Sequence, residues 1–290
     1  MIRIGIVGAE NSHSAAIARI LNVAKKVAGC RVVAIWGETA QFARRSAEAG
    51  QIPRIVKRPA DMIGEIDGVM IDHRHAKYHL PAAEPFLKAR LPMFIDKPFC
   101  YRLAEGKRFL ARARRMGVPV TSFSTVPLSK SFQAFARKVR RAGKVCAVAS
   151  YGPCDLQSKY GGIFFYGIHQ VDVLLELFGL DVVAVGIQRP AKGKDAVATL
   201  FWKNGLTASM HCLTDYSSGF QLCVATDAGP LAVRLESDPV PYLTGAKTFC
   251  GMFKTGKEPI EHRRFLAPIA VLEALEKSVR TGKVTPVAKV

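Results

Sequence analysis

Ile2-Arg3-Ile4-Gly5-Ile6-Val7-Gly8-Ala9-Glu10-Asn11-Ser12-His13-Ser14 reads as a buried strand running into a turn and then a helix. The strand alternates and then turns wholly apolar, the pattern of a parallel strand covered on both faces. Gly8 ends it. Asn11, Ser12 and Ser14 are candidate helix caps, and Ile17, Ile20, Leu21 and Ala24 recur at the spacing of one buried helical face.

The rhythm continues outward. A second strand is expected over 31–36, a helix over 39–49, a weak strand over 54–56, and strands at Gly68–Ile71 and 92–95. A helix over Leu103–Met116 leads to a last strand at 118–122. Strands alternating with helices imply a Rossmann-like, doubly wound parallel sheet, whose ligands bind at the carboxyl ends of the strands near the topological switch point. Beyond about residue 121 the rhythm changes. One helix (131–141) precedes strand-like runs at 145–151, 182–187, 197–202, 206–212, 222–226 and 231–235, joined by turns such as Lys203-Asn204-Gly205. That pattern predicts an open, mostly antiparallel sheet. The expected organisation is a dinucleotide-binding α/β domain over 1–120 and an α+β substrate and oligomerisation domain over 121–290.

Composition narrows the function. The chain has 290 residues, 49% of them hydrophobic and 22% charged, which suits a globular protein. No run approaches the roughly 18 apolar residues of a membrane helix, and the opening residues do not read as a secretory signal. Seven scattered cysteines form no CxxC pair, which argues against a disulfide framework and fits a reducing cytoplasm. Forty-two Lys and Arg against 23 Asp and Glu give a formal charge of +19, concentrated between Arg102 and Lys144. A basic surface attracts anions, a small anionic substrate among them. No zinc finger, aromatic RNA platform or recognition helix accompanies the charge, so nucleic acid is not the expected partner.

The first turn is a glycine-poor version of a dinucleotide fingerprint. Glycine would be wanted at positions 8, 10 and 13, and only Gly8 is present. Glu10 would repel a pyrophosphate, whereas Asn11, Ser12 and Ser14 offer hydrogen bonds to one. Glu38, just past the second strand, stands where an acid binds ribose hydroxyls, which favours NAD over NADP. It reads equally as an exposed turn residue.

Further along, DGVMIDHRHAKYHLPAAEPFLKARLPMFIDKPF (67–99), GGIFFYGIHQVDVLLELFG (161–179) and VLEALEKSVRTGKVTPV (271–287) resemble, in order, the glucose–fructose oxidoreductase / inositol dehydrogenase / MocA family. His79 falls at the family's histidine after the fourth strand, and Asp96-Lys97-Pro98 matches its Glu-Lys-Pro with a conservative acid swap. The resemblance implies NAD(P)-linked oxidation or reduction at a carbinol carbon of a sugar, cyclitol or similar polyol, by a homodimer or homotetramer. It places Gly8, Glu10, Asn11, Ser12, His13, Glu38, His79, Asp96 and Lys97 around the cofactor. It makes Lys97 and His169 the acid/base and substrate-orienting groups, with Asp172 and Tyr166 in support.

That assignment is chemically coherent. A neutral histidine accepts the hydroxyl proton as hydride leaves, and an ammonium steadies the developing alkoxide. Asp172 lies three residues beyond His169, placed either to orient the imidazole or to favour the helix start. The family's aspartate four residues before the histidine is replaced by Phe165. Tyr166 either offers a hydroxyl in compensation or packs with its apolar neighbours. The glycine-poor turn, the late acid and Phe165 also suit a relative that binds a ligand without redox turnover. Asp72-His73-Arg74-His75 with His79 has a metal-like composition, but Arg74 and Lys77 would repel an ion there, and no metal is expected.

Overall fold

A computed structural model describes residues 1–190 and 192–290. By its internal contacts the chain forms two units. The first comprises Met1–Thr125 with Val240–Phe265, the second Val126–Pro239 with Leu266–Val290.

The first unit is built on a six-stranded, all-parallel sheet. In chain order its elements are β1 (Ile2–Val7), α1 (Ser12–Ala18), β2 (Cys30–Trp36), α2 (Ala40–Gly50), β3 (Arg54–Ile55), β4 (Gly68–Ile71), α3 (His79–Lys88), β5 (Met93–Ile95), α4 (Leu103–Met116) and β6 (Val120–Thr121). The strand order is β3-β2-β1-β4-β5-β6, so the winding reverses between β1 and β4. Ile4, Ile6, Val7, Val69, Met70, Ile71 and Ile95 are buried, as strands covered on both faces require.

Local chemistry sets the boundaries. Thr39 caps α2 by accepting from the Phe42 amide at 3.1 Å, and Gly117 ends α4 in the left-handed conformation. Helix α1 runs into a π turn over Arg19–Val23. There the buried Asn22 donates to the Val32, Gly50 and Gln51 carbonyls and accepts from the Val32 amide, tying the turn to β2 and to the end of α2.

The sheet is completed by a segment from far along the chain, α5 to α8 being Lys130–Arg141, Gly167–Phe178, Leu243–Thr255 and His262–Thr281. From α7, Phe249 stacks on Phe94 of β5 with centroids 4.8 Å apart, and Lys254 Nζ donates to the Ala28 carbonyl at 2.6 Å.

The second unit carries a seven-stranded mixed sheet: β7 (Val145–Pro153), β8 (Val182–Gln188), β9 (Ala196–Trp202), β10 (Thr207–Leu213), β11 (Gln221–Thr226), β12 (Gly229–Arg234) and β13 (Thr285–Pro286). The order is β12-β11-β7-β10-β9-β8-β13. Every pair is antiparallel except β7 with β10. Burial alternates strictly along β9, so one face of that strand is packed. Helix α6 is buried over Gly167–Leu175, and Gln170 fastens it to the sheet. Gln170 accepts from Ser150 Oγ at 2.7 Å and donates to the Gly152 and His211 carbonyls. The Ser278 and Gly282-Lys283 exit of α8 has an equally local cause. Ser278 Oγ accepts from the Ile187 amide and donates to the Lys283 carbonyl, which turns the chain into β13.

Among the described residues, no helix is long and apolar enough to cross a membrane.

Candidate active site

The carboxyl ends of β1, β4 and β5 converge at the switch point, where Gly8, Asp72 and Asp96 follow the three strands. Gly8 has φ of +110°, and a Cβ there would lie 2.7 Å from the Asp72 carbonyl carbon and 2.8 Å from the His73 nitrogen. Only glycine lets the chain leave β1 this close to its neighbour.

Around this point a polar cluster is buried. Asn11 Nδ2 donates to Asp72 Oδ1 at 2.9 Å and to Asp96 Oδ2 at 3.2 Å. His13 Nδ1 lies 3.2 Å from the same Asp96 oxygen and 3.9 Å from Asp72 Oδ1. The His13 ring packs on Tyr242, just before α7, with centroids 4.6 Å apart. Lys97 Nζ stands 3.7 Å from Asp96 Oδ2, its side chain only 13% exposed.

Two buried carboxyls this close cannot ionise equally. Burial, then the neighbouring Asp96 charge, pushes the Asp72 carboxyl well above its ordinary range. Burial acts upward on Asp96 too, but His13 and Lys97 outweigh it and hold that carboxyl low. Asp96 is therefore the ionised member, and Asp72 Oδ2 is buried without a hydrogen-bond partner.

Glu38 approaches the first turn from the other side, where Oε2 accepts from the Ala9 and Glu10 amides at 2.8 and 2.9 Å. Its Oε1 is buried without a hydrogen-bond partner. An acceptor of this kind at the end of β2 fits a ribose hydroxyl. Ser12 is exposed, but Ser14 is fully buried, donating to the Asn11 carbonyl and lying 3.2 Å from Ser46 Oγ.

The histidine-rich run does not gather into one cluster. His79 is completely buried, its Nδ1 2.9 Å from the Pro98 carbonyl and its Nε2 2.8 Å from the His73 carbonyl. Burial lowers its pKa, while those two acceptors and Asp96 act upward. It links the chain just after Lys97 to the chain just after β4. His73 is driven down to about 3, by burial and then by His79. The acidic neighbours of Asp72 come instead from other strands, a grouping that sequence proximity conceals.

In the second unit His169 and Asp172 are both buried on α6. Tyr166 precedes the helix with φ of +65° and is 44% exposed, outside the buried apolar pair Ile163 and Phe164. Its ring lies 5.8 Å from that of His169, which also faces Phe220 at 5.3 Å. The tyrosine hydroxyl is thus on the surface side of the helix entry rather than in the core.

Comparison with known proteins bears on the fold. Residues 2–124 match a family model described as an oxidoreductase family with an NAD-binding Rossmann fold. Among solved structures, scyllo-inositol dehydrogenase from Lactobacillus casei, with NAD(H) and scyllo-inositol bound, superposes with a TM-score of 0.84 at 16% identity, covering all of both chains. The myo-inositol dehydrogenase of the same organism, with NAD(H) and myo-inositol, gives 0.83 at 15% identity over 100% of this chain and 98% of that one. Myo-inositol 2-dehydrogenase from Lactobacillus plantarum gives 0.84 at 18%, over 99% of each. At these identities the likeness establishes the two-domain fold. No curated protein matches by sequence.

Proposed function

Since residues 2–124 belong to the NAD-binding Rossmann domains of the glucose–fructose oxidoreductase / inositol dehydrogenase / MocA oxidoreductases, we propose that this chain is a nicotinamide-dependent dehydrogenase acting on a carbinol of a small polyol. The observation that carries this reading is Lys97, a nearly buried amine beside an ionised Asp96 at the carboxyl end of β5.

NAD, when bound, supplies the hydride acceptor. Glu38 supports NAD over NADP, because its free Oε1 accepts a ribose hydroxyl while its charge repels a 2′-phosphate. Gly8, Glu10, Asn11, Ser12 and His13 line the turn that would face the dinucleotide, and His79 fixes the backbone around Lys97. The Lys97 ammonium donates to the substrate oxygen and stabilises the charge that develops there. Within the second unit, His169 is the group suited to accept a hydroxyl proton on a ring nitrogen, with Asp172 to orient it and the Tyr166 hydroxyl to support substrate binding. The basic surface suits an anionic polyol, and assembly as a dimer or tetramer belongs to the same reading.

One observation favours a second reading, a ligand-binding relative without redox turnover. The Ala9 and Glu10 amides are already taken by Glu38.

A polyol panel separates the two. The purified protein is incubated with NAD+ or NADP+ and inositols, aldoses or sugar acids, and dinucleotide reduction is followed by absorbance. Turnover with at least one polyol is expected, with NAD+ preferred about tenfold or more. Reduction of neither cofactor by any member would favour the second reading.

A further inference from the structure

The first unit holds a cluster that the dehydrogenase reading does not use in full. Asp72, His13 and Asp96 follow or adjoin three different strands, yet one ligand atom from each lies within 4.8 Å of the others. The 3.2 Å from His13 Nδ1 to Asp96 matches a donor edge around a small cation, and the 3.9 Å to Asp72 must close by a few tenths of an ångström around one. An ion held at about 2.1 Å by each ligand separates neighbouring donors by about 3 to 3.5 Å.

A second observation points the same way. The Asp72 head group is fully buried and directed into the cluster by Oδ1, and its Oδ2 lacks any hydrogen-bond partner. A buried carboxyl oxygen without a partner is costly unless a ligand completes it. The positive end now facing Asp72 Oδ1 is the Asn11 amide, which spans both carboxylates. The Asn11 Oδ1 atom accepts only a marginal bond, from the His13 amide at 3.5 Å. Turning that amide over exchanges its donations to Asp72 and Asp96 for a fourth oxygen at the same point, an exchange that a bound cation would favour.

We propose that His13, Asp72 and Asp96, with the Asn11 carbonyl oxygen as a fourth ligand, form a binding site for a divalent transition-metal ion. One imidazole and two carboxyls suit zinc, manganese or cobalt, and the ion displaces the Asp72 proton on binding, so that two carboxylate charges meet its two positive ones. Lys97 opposes occupancy, because its ammonium stands 3.7 Å from Asp96 Oδ2 and must swing away on its flexible stem. The site is therefore set against the same amine that the dehydrogenase reading employs.

The test uses the full chain, stripped with chelator and titrated with Zn2+, Mn2+ or Co2+ alone in a calorimeter, with Co2+ followed also by absorbance. One ion per chain is expected at micromolar affinity or tighter. Asp72→Asn and His13→Gln each weaken binding by about 100-fold or more, and Lys97→Met tightens it by removing the repulsion. Circular dichroism confirms which variants fold, and the His13 variant alone suffices should Asp72→Asn not do so. No binding below about 1 mM, or parental affinity in the folded variants, would overturn the proposal. No dinucleotide is present, so this outcome is independent of the polyol assay.

Discussion

Replacing Lys97 by methionine lowers kcat by about 10²- to 10⁴-fold while the protein remains folded. Methionine keeps most of the apolar stem and removes the ammonium. Asp96 loses the ammonium that stands 3.7 Å from its Oδ2 and keeps the His13 ring nitrogen at 3.2 Å. The larger consequence is chemical. Without a cation near the substrate oxygen, the alkoxide that precedes hydride departure forms in a partly buried place with no compensating charge. Steady-state kinetics with the best polyol reads the effect, and a melting curve separates it from instability. A kcat close to the parent's would remove Lys97 from the chemistry.

Gly8→Ala is expected to destabilise the first unit by about 2–5 kcal/mol, the sum of a left-handed backbone cost and a forced displacement of packed chain. The added methyl has nowhere to go. Its nearest neighbours are the Asp72 carbonyl carbon and oxygen and the His73 nitrogen, all backbone and all within 2.8 Å. Relief therefore requires β1 and β4 to separate at their carboxyl ends, where Asp72 and Asn11 meet. Against a typical total of about 5–15 kcal/mol, this is a large fraction of the stability. Thermal and urea unfolding measure it, and a variant that melts with the parent would show that the turn has room to spare.

Much of the fold was legible because it rests on local patterns. The apolar run over 4–7 in β1 marks a strand buried on both faces, and the short polar turn Lys203-Asn204-Gly205 marks the antiparallel pairing of β9 with β10. Other features left no such trace. Helix α3 carries Pro81 and Pro85, which mask its periodicity, and the return of Val240–Phe265 to the first sheet depends on contacts far apart in the chain. The parallel pairing of β7 with β10 arises from strand order, which hairpin-like turns do not report.

The candidate site divides in the same way. Gly8, Glu38 and Lys97 are placed by their positions at strand ends, so a reading of strands finds them. The meeting of His13, Asp72 and Asp96 is set by the order β1-β4-β5 and is invisible along the chain. Proximity in sequence instead groups Asp72 with His73, His75 and His79. Yet His79 spends both ring nitrogens beside backbone carbonyls, and burial keeps His73 neutral. Adjacent side chains leaving a strand end face different ways, which is why composition alone misjudges such a run.

The central claim is that the first unit receives a nicotinamide dinucleotide at the end of β1. Titrating NADH into the protein and following nicotinamide fluorescence tests it most directly. Saturable binding in the micromolar to sub-millimolar range is predicted, weakened by Glu38→Ala. An unchanged signal up to about 1 mM NADH and NADPH would contradict it.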